Sequence, residues 1–319
     1  MFIVKKKRIE KQLDKAERQR SMDVKKVFVI GAGFMGSGIV ENVAAKGLEA
    51  VAYDISEQQR ERSRKSITKN LEKQVAKGRL KAEEKDAVLD RIEYVSEISA
   101  CKDADVVIEA VAENKEIKVS IMKEIEKYAK EEAVIASNTS SISITSLGSV
   151  FQNPERFVGM HFFSPVPRIP LMEIVRGYQT GERAIKIASD LGEYMGKTCI
   201  LAQDEPGFIV NRMLIPMLNE ACFLVERKIG SIEEIDMGMK MGLNHPMGPL
   251  ELMDMIGIDV ELAVMEVLHE EIGDSKYRPA ISLKRMVDSG FLGRKVGVGF
   301  YVYHEDGTKE PNPKLLEIR

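Results

Sequence analysis

Residues 27–36 read VFVIGAGFMG. Four β-branched or aromatic residues run directly into glycines spaced GxGxxG, and the following SGIVENVAAKG contains no proline. A buried strand, a tight turn and a helix in that order form the first half of a dinucleotide-binding unit. Gly31 permits the tight turn, Gly33 lets the backbone approach a pyrophosphate, and Gly36 lets helix and strand pack closely. The helix N-terminus turns oriented N–H groups towards the phosphates. GxGxxG alone matches many glycine-rich turns; here a second strand, EAVAYD, also ends in Asp54. That carboxylate suits the ribose hydroxyls and repels a 2′-phosphate, favouring NAD over NADP even with Arg60 and Arg62 nearby. The expected cofactor-binding residues are therefore Gly31, Gly33, Phe34, Met35, Gly36 and Asp54. The plainer alternative is a fold of this kind that holds no cofactor.

Outward from this unit, strand-like and helix-like segments alternate. A long polar segment, residues 55–91, reads as helical; DADVVIEAV is a strand, KEIKVSIMKEIEKYAK an amphipathic helix, and EEAVIASNTS a strand leading to a polar turn. RFVGMHFF and LMEIV read as extended pieces joined by a proline-rich loop, before a helix and the strand KTCILA. Such alternation predicts an α/β, doubly wound, Rossmann-like parallel sheet. Beyond DEPGFIVNR the pattern is helical, with broad Met- and Leu-rich stripes, which predicts an all-α C-terminal domain. The expected division is a charged extension over 1–22, a nucleotide-binding domain over 23–206 and a helical domain over 207–319.

The chain of 319 residues is 44% hydrophobic and 30% charged with a formal net charge of -3, an ordinary globular composition. Balanced charge gives no general attraction to nucleic acid. No apolar run approaches the ~20 residues that cross a bilayer. Cys101, Cys199 and Cys222 are odd in number and in no metal-ligand spacing, so no metal is expected and a cytoplasmic location fits. MFIVKKKRIEKQLDKAERQRSM lacks the apolar core of a secretory signal, and no function is assigned to it.

HFFSPVPRIPLMEIV, residues 161–175, is apolar and proline-rich yet keeps His161 and Glu173. A nicotinamide enzyme that oxidises an alcohol needs a group to take the hydroxyl proton, and imidazole titrates near neutrality. A carboxylate on the other ring nitrogen fixes the tautomer and balances the imidazolium. Two extended segments joined by a loop suit that pairing, whereas His245, His269 and His304 fit ordinary structural roles better. SNTSS, residues 137–141, follows a strand at the edge where open α/β sheets bind ligands. Asn211 in PGFIVNR opens the helical domain and is expected in a cleft between domains. Lys65, Lys69, Lys73, Lys77 and Lys81 recur at every fourth position of the long polar segment. Like charges at that spacing repel by roughly 0.2–0.5 kcal/mol per pair. The ladder is either a solvated basic face or, following the cofactor unit, a dock for a phosphorylated substrate. Four-residue steps drift around a helix, so two or three of these lysines at most share one ligand.

Together, VIGAGFMGSGI, VIEAVAEN, ASNTSS, GMHFFSPVP, PGFIVNR, NHPMGPLEL and LGRKVGVGFY resemble the (S)-3-hydroxyacyl-CoA dehydrogenase family, its short-chain bacterial branch above all. The resemblance runs from about residue 25 to residue 303. It implies NAD-dependent, reversible interconversion of a 3-hydroxyacyl-CoA and its 3-oxo counterpart, with 3-hydroxybutyryl-CoA and acetoacetyl-CoA as expected esters. It implies His161 as base, Glu173 as its partner, and Ser140 and Asn211 on substrate oxygens. It further implies NAD contacts from Asp54, Glu113, Lys118 and Ser140, CoA phosphate contacts from Lys73 and Lys77, and a homodimer through the helical domain. Ser164 stands where the family usually has asparagine. The alternatives are a related dehydrogenase of free hydroxy acids, of the gulonate type, and a non-catalytic NADH-binding relative.

Overall fold

The computed structural model describes residues 24–316, so the charged N-terminal extension lies outside the described residues. The chain forms two compact units that divide between Glu205 and Pro206.

The first unit is built on eight strands: β1 (Lys26–Ile30), β2 (Glu49–Tyr53), β3 (Ile92–Val95), β4 (Val106–Glu109), β5 (Val134–Ser137), β6 (Phe157–Phe162), β7 (Leu171–Arg176) and β8 (Thr198–Gln203). Their order in the sheet is β3-β2-β1-β4-β5-β6-β7-β8. All pairs are parallel except β6 with β7. The helices are α1 (Phe34–Ala45), α2 (Glu57–Ala76), α3 (Ala82–Leu89), α4 (Lys115–Tyr128), α5 (Ile144–Gly148) and α6 (Glu182–Tyr194). β1 and β4 are fully buried at their apolar positions, as expected of central strands covered on both faces. The strand order reverses between β1 and β4, and that switch point is where such sheets bind ligands.

Two features of the long polar segment depart from the sequence reading. It is not one helix: α2 ends at Ala76, Lys77 caps it, and Gly78 takes a φ of +64°. That left-handed conformation favours glycine and ends the helix. Lys81 therefore precedes α3 and does not extend the ladder along α2. Directly after the segment comes β3, a half-buried edge strand of four residues that the sequence reading did not give, its length offering little periodicity.

In the second unit the helices are α7 (Val210–Glu226), α8 (Ile232–Gly242), α9 (Pro249–Ile256), α10 (Ile258–Ile272), α11 (Ile281–Asp288) and the short α12 (Pro313–Leu316). Gly257, at φ +116°, separates α9 from α10 in what reads as one helical stretch. The helical expectation holds, and the structure adds an antiparallel ribbon of β9 (Tyr301–Tyr303) and β10 (Lys309–Pro311). Two buried aspartates bind the ribbon to the helices. Asp236 accepts the N–H groups of Leu250 and Glu251 and the Tyr301 hydroxyl; Asp254 accepts the N–H groups of Phe300 and Tyr301. A Cβ on Gly248 would lie 2.2 Å from Asp236 and one on Gly299 2.0 Å from Asp254. The glycines of MGPLEL and GVGFY thus admit the two carboxylates.

Candidate active site

Because β1, β2, β4, β5 and β6 run parallel, their carboxyl ends lie along one edge of the sheet. The residues that leave those ends are the glycine turn, Asp54, the 110–113 segment, the SNTSS turn and His161.

At the glycine turn, Gly31 has φ +101°. A Cβ there would lie 2.6 Å from the Ala110 carbonyl oxygen, and one on Gly36 would lie 1.8 Å from the Gly31 oxygen. The protein itself therefore requires those two glycines. A Cβ on Gly33 would meet no protein atom within 4 Å, so only a ligand's close approach calls for glycine there. Asp54 accepts the Ala32 and Ser56 N–H groups at 2.9 Å, which fixes the turn against the end of β2. Arg60 donates to the Asp54 carbonyl at 2.5 Å, so its guanidinium is partly engaged within the protein. These features fit NAD: first-turn N–H groups of α1 for the pyrophosphate, and the Asp54 carboxylate for ribose hydroxyls. Phe34 is 75% exposed and Ile55 83%. Ile55, an exposed apolar residue directly after a strand-end acid, escaped the sequence reading.

Beyond β4, Glu109 is fully buried. It accepts from Lys118 Nζ at 2.7 Å, Ser137 Oγ at 2.6 Å and the Val111 N–H at 2.7 Å. Lys118 Nζ also lies 3.3 Å from Glu113. Glu113 in turn accepts the Thr139 hydroxyl at 2.6 Å and the Ser140 and Ser141 N–H groups at 2.9 and 3.0 Å. Burial pushes the Glu113 carboxyl up, but the Lys118 ammonium and these donors outweigh it and hold it below the ordinary range. The sequence reading placed Lys118 at the cofactor. Its side chain is 1% exposed and lies between the carboxylates of Glu109 and Glu113. Glu109 was missed, because a strand-end acid in an apolar run carries no sign of its partner.

The opposing register of β6 and β7 pairs His161 directly with Glu173. Directly opposed residues project from the same face of a sheet. Val158, Met160 and Phe162 join the apolar core, so the alternation turns His161 to the other face. Nδ1 of His161 lies 2.7 Å from Glu173 Oε2, with Glu173 fully buried and His161 6% exposed. The Phe163 ring lies tilted against the imidazole at 4.6 Å. An ionised carboxylate only accepts, so Nδ1 carries the proton and Nε2 is the basic nitrogen. Asn138 Oδ1 accepts the Phe162 N–H at 2.9 Å and ties the SNTSS turn to β6. Ser164 is exposed in the following loop. Asn211 lies in the first turn of α7, in the second unit.

A glycine turn, a strand-end carboxylate and an imidazole–carboxylate pair on one sheet edge define a nicotinamide-dependent dehydrogenase. The family pattern described as "3-hydroxyacyl-CoA dehydrogenase, NAD binding domain" matches residues 26–205, and its "C-terminal domain" matches residues 207–303. The chain belongs to the 3-hydroxyacyl-CoA dehydrogenase family, uses NAD, and has the dehydrogenase activity of that family. It is 46% identical over 275 residues to a probable 3-hydroxybutyryl-CoA dehydrogenase of Deinococcus radiodurans, covering 86% of this chain and 99% of that one. It is 44% identical over 280 residues to the 3-hydroxybutyryl-CoA dehydrogenase of Bradyrhizobium diazoefficiens, covering 88% and 96%. The crystal structure of (S)-3-hydroxybutyryl-CoA dehydrogenase from Ralstonia eutropha superposes with a TM-score of 0.86 at 45% identity, covering 89% of this chain and all of that one.

Proposed function

We propose that the chain interconverts short-chain (S)-3-hydroxyacyl-CoA and 3-oxoacyl-CoA esters, 3-hydroxybutyryl-CoA and acetoacetyl-CoA first among them. The relatives named above bear that activity in their names. One observation carries the residue roles: the His161–Glu173 pair, 2.7 Å apart and buried at the carboxyl edge of the sheet. NAD, when bound, supplies the hydride acceptor for C3 of the alcohol. His161 Nε2 takes the hydroxyl proton, and in the reverse direction returns it to the carbonyl oxygen. Glu173 holds Nδ1–H and balances the imidazolium. General base assistance of this kind contributes about 10²–10⁴ in rate.

In this reading Ser140 and Asn211 hold substrate oxygens, Glu113 orients the Ser140 N–H, and Lys73 and Lys77 take CoA phosphates. Both lysines are exposed at the C-terminal end of α2. We further propose a homodimer through the helical unit. In its support, Met237 and Met241 stand four residues apart on α8 with 54% and 81% exposure, and Met213 on α7 is 75% exposed. The three cysteines are free, which suits a reducing cytoplasm. No helix among the described residues is long and apolar enough to cross a membrane.

The test is His161→Gln. Turnover of acetoacetyl-CoA is expected to fall by about 10²-fold or more while NADH affinity is kept. Near-normal turnover removes His161 from the mechanism. NADH oxidation over esters of increasing length, with free acetoacetate as control, then fixes the substrate class.

A further inference from the structure

Lys197 is a buried cation with no part in the chemistry above. It is 7% exposed, and its ammonium donates to the carbonyl oxygens of Val166 and, at 2.9 Å, Ile169. Both acceptors are main-chain groups of the loop that joins β6 to β7, and the neighbouring Thr198 N–H takes the Pro170 oxygen at 2.6 Å. Burial, with a smaller push from Lys46, lowers the lysine's affinity for its proton. Holding an ammonium here costs stability that an apolar side chain of equal length would not. That cost points to a positional use.

The loop's other support is α1. Val166 is 2% exposed, and a Cβ on Gly38 would lie 3.0 Å from the Val166 Cβ, so the loop rests against the helix that leaves the glycine turn. Pro165, Val166 and Pro167 form one wall of a cavity of about 260 Å³. Across it lie Gly33, Phe34 and Met35 of the cofactor turn, and Arg62, Ser66 and Asn70 of α2. The wall begins four residues after His161, and Lys197 ties it down through the Val166 and Ile169 carbonyls.

We infer that Lys197 is a positioning residue for the acyl-CoA ester: by gripping the Val166 and Ile169 carbonyls it holds the proline-rich wall of this cavity against the cofactor turn. It touches neither substrate nor cofactor. The inference rests on the acyl-CoA reading above, and the two fail differently. If that reading is wrong, the wild-type enzyme does not turn over acetoacetyl-CoA; if this one is wrong, the wild type does and the variant matches it.

The experiment compares wild type with Lys197→Met, which keeps the stem and removes the donors. KM for acetoacetyl-CoA is expected to rise about tenfold, with KM for NADH and kcat within about threefold of wild type. Hydrogen exchange supplies a direct reading of the loop. The Arg168 and Ile169 N–H groups, both bonded to the Pro165 oxygen, should exchange faster in the variant while those of β6 and β7 keep their protection. Lys197→Gln, whose shorter amide retains donors, should fall between the two and serves if Lys197→Met does not fold. An unchanged ester KM overturns the inference. So does a parallel rise in both KM values, or faster exchange across the whole sheet, since either marks a merely structural lysine.

Discussion

Glu173 reaches His161 through backbone register alone. The β6–β7 ladder pairs the two residues, and the loop between them sets which carboxylate faces the imidazole. The pairing was readable because two ionisable groups in an apolar, alternating stretch must find partners on burial, and these two share a strand pair. Lys118 was not readable in this way. KEIKVSIMKEIEKYAK has several lysines on an amphipathic helix, and helical spacing alone does not say which one turns inward between Glu109 and Glu113. The pairing also yields a prediction. Glu173→Gln leaves the ladder intact but removes the charge opposite the imidazolium, and its amide can donate to Nδ1 and so favour the wrong tautomer. The expected outcome is a fall in kcat of about 10²-fold or more with NADH affinity and melting temperature close to wild type, read by steady-state kinetics and thermal unfolding. A Glu173→Gln enzyme with wild-type kcat would show that the carboxylate only fills space.

At the scale of elements, long periodic or apolar segments were legible and short ones were not. β1, β2, β4, β5 and the helix after the glycine turn each carry several consecutive signals. β3 has four residues and an edge position, and β9 and β10 have three each. Segments that short leave periodicity nothing to count; β4 and β5 also have four residues, but they are fully buried apolar runs, and that made them legible. The break in the lysine ladder has another cause: Gly78 reads as a tolerable glycine inside a helical pattern, and only its positive φ shows that α2 stops there. Lys73 in the last turn and Lys77 at the cap are thereby brought to one end of α2, where Lys65 and Lys69 do not reach. If these two take CoA phosphates, the double change Lys73→Ala with Lys77→Ala raises KM for the ester several-fold at low salt and less at high salt, because exposed charge pairs are screened over about 10 Å at 0.1 M. Lys65→Ala with Lys69→Ala is the matched control and should leave KM in place. Equal effects of the two pairs, or none from either, would reduce the ladder to a solvated face.

Across the whole molecule, carboxyl groups respond to pH with both signs: burial raises Glu41 in the first unit as it raises two acids of the second, whereas other acids of the first unit are lowered. In the first, burial raises Asp105 and Glu113, but Lys130 and two amides for the former, and Lys118 with hydroxyl and amide donors for the latter, leave both below their ordinary values. Such groups stabilise the fold above the unfolded-state value, and that contribution is lost as pH falls through the folded one. In the second unit Glu261 is 4% exposed, Oε2 has no hydrogen-bond partner, and burial alone pushes the carboxyl up to about 7. Burial, with a smaller push from Asp236, likewise raises Asp254 to about 6 against three donors, the Phe300 and Tyr301 N–H groups and the Tyr303 hydroxyl. A raised acid binds its proton more tightly folded than unfolded, so stability is full below the unfolded value of 4.5 and declines as pH rises to about 7. For Glu261 the loss is at most on the order of 3–4 kcal/mol, by the conversion of about 1.4 kcal/mol per unit. Glu261→Gln replaces the carboxyl with a neutral group of the same shape. It should unfold in urea much like the wild type at pH 5 and at a higher midpoint at pH 8, with circular dichroism following the helices. Parallel pH curves for the two proteins would mean that Glu261 finds a proton donor or cation when the chain assembles, and the second unit would then carry no pH dependence from this helix.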